Sequence, residues 1–222
     1  MQKLNAIFEN IEYSLYYAED AVADTVKRTG QFMNHEDLTS IKANVKNFNF
    51  VLDIGGNLGQ YSFFFKHICN AKKVIAFEPH LPMVNLFKLN NPDIEIHQVA
   101  LSNKQDTLRF FDPAMLGNNT GVGQIHAHGN LIVQAHTLDS YNFEEVTLIK
   151  IDVEGHELEV LEGSVNTINK SKPSILLEHH SHWPGIRNHE VEFNKFYQYL
   201  PSGYTHTKIS TENYLFEYYP YK

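Results

Sequence analysis

Val51-Leu52-Asp53-Ile54-Gly55-Gly56-Asn57-Leu58-Gly59 carries an apolar strand into a glycine-rich turn, and a helical run over 58–68 follows. Few folds use such a unit, because its glycines let the backbone turn tightly and approach a ligand where a side chain would collide. Asn57 is the non-glycine residue type best suited to a left-handed position in that turn. Beyond it, apolar strand-like runs over 73–77, 94–100, 107–111, 131–135, 147–151 and 174–177 alternate with helical ones over 82–89, 156–168 and 191–200. This alternation predicts a mainly parallel sheet covered by helices on both faces. Pro201-Ser202-Gly203 marks a turn, and 204–209 with 214–218 would add a closing antiparallel hairpin. The expected fold is α/β and Rossmann-like, built on a seven-stranded sheet.

The first 47 residues follow another pattern. Leu4, Ile7, Phe8, Ile11 and Leu15 recur at helical spacing, which predicts an amphipathic helix over 1–27, with a second helix over 34–45. Together they would form a helical cover, 1–47, packed on a domain spanning 48–222 as one compact unit. The aromatic stripe Phe8, Tyr13, Tyr16 and Tyr17 reads as packing. At 222 residues the chain is long enough for one domain with a sizeable core. Its net charge of −8 argues against a general nucleic-acid binder, which needs a basic face to neutralise phosphates. Cys69 is the single cysteine, which excludes an intrachain disulfide and a cysteine-based zinc site and fits a reducing compartment. No apolar run approaches the ~18–20 residues of a membrane span. The first ten residues lack the features of a signal peptide, so a cytoplasmic location is expected.

Acids close three of the expected strands. Asp53 ends the first, Glu78 ends Val74-Ile75-Ala76-Phe77, and Asp152 ends Leu148-Ile149-Lys150-Ile151. Ligands of such sheets sit at the carboxyl ends of the strands, so the three acids share one edge. An acid just before the glycine turn suits a cationic ligand better than the diphosphate that a helix N-terminus attracts. An acid at the end of the second strand accepts hydrogen bonds from both hydroxyls of a ribose. The cofactor-side candidates are Asp53, Gly55, Gly56, Asn57, Gly59, Glu78, Pro79 and Asp152, with Ala100 on the backbone run that would meet an adenine. A nicotinamide-dependent oxidoreductase is the competing reading of the same turn.

Taken together, Asp53-Ile54-Gly55-Gly56-Asn57-Leu58-Gly59, Phe77-Glu78-Pro79, Val99-Ala100-Leu101, Thr137-Leu138-Asp139 and Ile149 through Glu157, followed by Leu161-Glu162-Gly163, resemble the FkbM methyltransferase family. The resemblance covers roughly 49–178. Its Asp-Val-Glu-Gly-x-Glu run is the specific part; the glycine turn is common to many methyltransferases, and here Gly56 stands where that family usually has alanine. It implies a class I methyltransferase fold, S-adenosylmethionine as cofactor, and transfer of a methyl group to a hydroxyl, often on a sugar or a natural-product scaffold. A non-sugar small molecule as acceptor, or a silent cofactor-binding module inside a larger glycan-assembly polypeptide, are the alternatives.

Candidates on the acceptor side lie further along the chain. Asp152, His156 and Glu178 are the candidate catalytic residues, since a sugar hydroxyl is barely acidic and a base must take its proton as the bond forms. Asn118, Asn119, Glu154, His179, His180 and Trp183 are candidate acceptor contacts, through amide, imidazole, carboxylate and aromatic faces. Strands ending in Asp152 and Glu178 are expected to be neighbours. With His179 or His180 they are candidate ligands for magnesium or manganese, although imidazole suits manganese better than magnesium. A metal-free site with Asp152 or His156 as base is the alternative, and the sequence shows no ligand spacing that demands an ion.

Overall fold

The computed structural model describes residues 2–17, 21–112, 123–179 and 194–220. Its centre is β10 (Leu148–Ile151), buried along its whole length. Strands β3 (Phe50–Ile54) and β11 (Ser174–Glu178) pair with it in parallel, one on each side. Full burial of a strand on both faces is the mark of a parallel sheet with helical layers above and below. Beyond β3 lie β4 (Lys73–Phe77) and β5 (Glu95–His97), also parallel. Beyond β11 lies the hairpin of β13 (Asn213–Tyr218) and β12 (Tyr204–Lys208), antiparallel as expected. The seven strands run in the order β12-β13-β11-β10-β3-β4-β5.

Alternate residues of these strands feed two apolar layers. Val51, Val74, Leu148, Leu176 and Leu215 enter one, which includes Phe64 and Phe87 of the following helices and the N-terminal elements. Leu52, Ile75, Ile149, Ile175 and Phe216 enter the other, against Val160 and Leu161 of α5 (Glu157–Glu162) and Ile168 of α6 (Val165–Ser171). One helix was expected over 156–168; the chain breaks it at Gly163, where a Cβ would lie 2.0 Å from the carbonyl oxygen of Ser102. The strand expected over 94–100 also divides. Its first part is β5, and β6 (Ala100–Leu101) joins a separate four-stranded sheet, β6-β9-β7-β8, with β7 (Asp106–Phe111), β8 (Gln124–Ile125) and β9 (Leu131–His136). In the third helical run expected, a 3₁₀ turn spans Tyr197–Tyr199.

The N-terminal helix expected over 1–27 is mostly not a helix. Gln2–Phe8 (β1) and Ile11–Tyr17 (β2) form an antiparallel hairpin, and only Ala21–Thr29 (α1) is helical. The apolar residues there fit both periods, and the buried set decides: Ala6, Phe8, Tyr13, Leu15 and Tyr17 follow a period of two. Ile7, counted for the helix, is 50% exposed. Glu9 and Asn10 both take positive φ, 45° and 69°, the geometry of a two-residue hairpin loop. The second expected helix forms as α2 (His35–Asn44). Tyr13 stacks on Phe63 at 4.1 Å between ring centroids, and the Asn90 amide bonds both backbone polar groups of Tyr16, so the hairpin covers the sheet's first layer as a helix was expected to do.

Candidate active site

Strand ends β3, β4 and β10 and the connection between β5 and β6 surround an open cleft. Gly55 turns the chain at its floor with φ of 82°. A Cβ there would sit 1.7 Å from the carbonyl oxygen of Asp152, so the glycine brings the β3 turn and the β10 loop into contact. Asn57 continues the turn with φ of 46°, and its side-chain oxygen is buried without a hydrogen-bond partner. Gly56 and Gly59 do not line the cleft; they pack behind it on Ala76, Phe87 and Asn91.

Glu78 stands on the same floor at the end of β4. Its carboxylate accepts one hydrogen bond from the backbone N–H of Asn57 at 2.9 Å and one from that of His80 at 2.8 Å. Burial raises its pKa to about 7, against the pull of those two donors. Each carboxylate oxygen has two lone-pair directions, so two acceptor sites remain beyond the backbone bonds. Pro79 and Ala100 line the cleft beside Glu78, with Met83, Val99 and Leu101 providing apolar surface. Phe110, Gly123, Gln124 and Ile125 of the four-stranded sheet add a further wall. The polar, glycine-rich stretch over 116–124 was a candidate for sugar recognition, but Phe110 and Ile125 were missed, because nothing in the β7 or β8 pattern says which way the small sheet leans.

Asp53 lies beneath the floor, not in it. It is fully buried, accepts a hydrogen bond from the Ser62 hydroxyl at 2.6 Å and faces the Lys150 ammonium at 3.4 Å. Lys150 is 2% exposed. Its ammonium donates to Asp152 at 3.0 Å and to the Gly55 carbonyl at 3.3 Å, and lies 4.6 Å from the centre of the Tyr61 ring. Burial alone would lower the lysine pKa; Asp152 and then Asp53 outweigh it and hold it above its ordinary range, so the group stays charged. For Asp53, burial pushes the carboxyl upward and Lys150, then Ser62, oppose it. Sequence reasoning passed over Lys150, though a lysine inside Leu148-Ile149-Lys150-Ile151 was a signal: a cation in a central strand has to be paired.

Asp152, Glu154 and His156 all line the cleft. The His156 ring is held at Nε2, 2.9 Å from the Ser102 hydroxyl, and its Nδ1 faces a Glu159 oxygen at 3.6 Å. Neither partner was foreseen. Glu157 folds back to accept the Gly155 N–H at 2.8 Å, a local staple of the turn. Glu178 does end the strand beside Asp152, since Ile151 and Leu177 are level in the β10–β11 register. It does not line the cleft, but its charge acts on Lys150 and Tyr61. His179 follows it and packs its ring edge-on to Phe196, in the layer opposite the one Leu176 enters. Asn118, Asn119, His180 and Trp183 lie outside the described residues. Among the described residues no group of three or more His, Cys, Asp or Glu is placed to hold a metal, and Lys150 supplies the positive charge at Asp152.

Residues 53–216 match the sequence profile of the family described as Methyltransferase FkbM domain. Two curated proteins are similar to this chain. Methyltransferase 1 of Beauveria bassiana is 28% identical over 144 residues, 52% of this chain and 58% of that protein. Hexuronic acid methyltransferase AglP of Haloferax volcanii is 28% identical over 138 residues, 58% of this chain and 55% of that protein. The matched region thus spans little more than half the length of either relative. Among solved structures, the FkbM methyltransferase of Methylobacillus flagellatus superposes with a TM-score of 0.54 at 16% identity, over 77% of this chain and 43% of that one, a likeness of fold. Among the described residues no helix is long and apolar enough to cross a membrane.

Proposed function

The chain belongs to the FkbM methyltransferase family, and from that premise we propose that it binds S-adenosylmethionine in the cleft and methylates a hydroxyl of a sugar or glycan. The observation that carries the cofactor reading is Glu78: a buried carboxylate at the second strand end, braced by two backbone N–H groups, with acceptor sites left for vicinal hydroxyls. Among the described residues the cleft is lined by the acids Glu78, Asp152 and Glu154 and by no lysine or arginine, which favours a cationic ligand over a diphosphate. The unpartnered Asn57 oxygen offers one more acceptor on the cofactor's side.

The cofactor, when bound, supplies a methyl group already activated on a sulfonium. What remains for the protein is to orient the acceptor and remove its proton. Asp152 and His156 are the two candidates at the cleft. The His156 Nε2 lies 2.9 Å from the Ser102 hydroxyl, and its Nδ1 faces Glu159. The acceptor class is supported by the name of AglP, a hexuronic acid methyltransferase. Mass spectrometry of sugars, uronic acids, nucleotide sugars and short oligosaccharides incubated with protein and cofactor tests it. The expected product carries a methyl group in place of one hydroxyl proton, a net gain of one CH2. Binding of cofactor with transfer only to non-sugar hydroxyls would remove the sugar reading.

A further inference from the structure

We propose that Lys150 is a positioning residue, tying the glycine turn to the acid loop so that two walls of the cleft keep one geometry; this rests on the cofactor reading above. The ammonium donates to Asp152 at 3.0 Å and to the Gly55 carbonyl at 3.3 Å, and pairs by charge with an Asp53 oxygen at 3.4 Å. These oxygens come from three places in the chain, the end of β10, the turn after β3 and β3 itself. The Tyr61 ring on α3 (Gln60–Phe63) covers the ammonium at 4.6 Å.

A lysine present only to neutralise Asp53 would need one of those contacts. The other two go to Gly55 and Asp152, and both of these line the cleft. These residues also touch directly, since the space a Gly55 Cβ would need is filled by the Asp152 carbonyl. A shift at either residue is therefore felt at the other, and Lys150 is the side chain that grips both. Lys150 itself does not line the cleft, so it acts through its neighbours and not on the ligand.

The test separates charge from position. Lys150→Met alone leaves Asp53 and Asp152 without their cation and can fail to fold. The double variant Asp53→Asn with Lys150→Met removes one charge of each sign, keeping net charge constant. Lys150→Arg keeps the cation but spreads it over a plane that cannot gather three oxygens at one nitrogen. Thermal unfolding reports folding, and calorimetry with S-adenosylhomocysteine reports the cleft. We expect the double variant to unfold within a few degrees of wild type and to bind about tenfold more weakly; Lys150→Arg should be weakened likewise. Wild-type affinity in either folded variant would overturn the assignment and leave Lys150 as a counter-ion. No binding by the wild-type protein would instead overturn the cofactor reading, and the positioning role with it.

Discussion

The two halves of the cleft hold their acids by different means. On the β3–β4 side, Glu78 is braced by backbone N–H groups from Asn57 and His80, its near neighbours in fold and sequence. On the β10–β11 side, Asp152 is held by a buried lysine, and His156 by Ser102. Backbone bracing survives most side-chain changes. A bracing made of side chains fails with the loss of any one of them, and more expensively where the partner left behind is a buried charge. The contrast makes the first half a rigid seat and the second a set of mutually dependent groups.

Replacing Lys150 by Met is the harshest test of that contrast. It leaves the fully buried Asp53 without its cation and should cost about 3–5 kcal/mol of unfolding free energy, read by denaturant titration. An unchanged midpoint would show that the second half does not depend on its lysine. Removing the base comes next. Either His156→Ala or Asp152→Asn should lower turnover at least about a hundredfold, with the folded state retained. Comparison of the two identifies the base; if neither falls, proton removal lies elsewhere.

On the rigid side, Glu78→Gln should weaken S-adenosylhomocysteine binding by about 1.5–3 kcal/mol, since a charged acceptor is lost, while the unfolding midpoint stays close to wild type. Calorimetry and thermal melts together check this. The smallest expected effect is a pH dependence from the same carboxylate. Its pKa of about 7 in the folded protein lies above the ordinary value of 4.5. Its contribution to the stability of the ligand-free protein is therefore complete below about pH 4.5 and is lost as pH rises through about 7. Hydroxyls that donate to it prefer the ionised form, so binding should tighten by up to about tenfold between about pH 6 and about pH 8. Glu78→Gln should show a flat profile; the same slope in that variant would assign the titration to another group.

The same division explains what was legible in the sequence. Strand, acid, glycines, helix, strand and acid follow one another along 50–79, and the structure realises them with local backbone contacts. The strands β3, β4, β10 and β11 were readable because burial leaves short, mostly apolar runs, interrupted in β3 by Asp53 and in β10 by Lys150. The pairing of His156 with Ser102 spans 54 positions and has no spacing rule that would announce it. Asp53 was visible as an acid at the turn, but its burial under the floor follows from Lys150 and Ser62, one far away in sequence and the other a helical turn beyond the glycines. The N-terminal hairpin was misread for a different reason: Leu4, Phe8 and Leu15 satisfy both periods, and the turn at Glu9-Asn10 lacks the glycine that marks most two-residue loops.

The cleft beside Glu78 is the proposed seat for S-adenosylmethionine. Titration calorimetry of the wild-type protein with S-adenosylhomocysteine, and separately with NAD, addresses it directly. Saturable binding of S-adenosylhomocysteine, weakened in Glu78→Gln, is expected, and none of NAD. Tight binding of NAD with no heat from S-adenosylhomocysteine would contradict it.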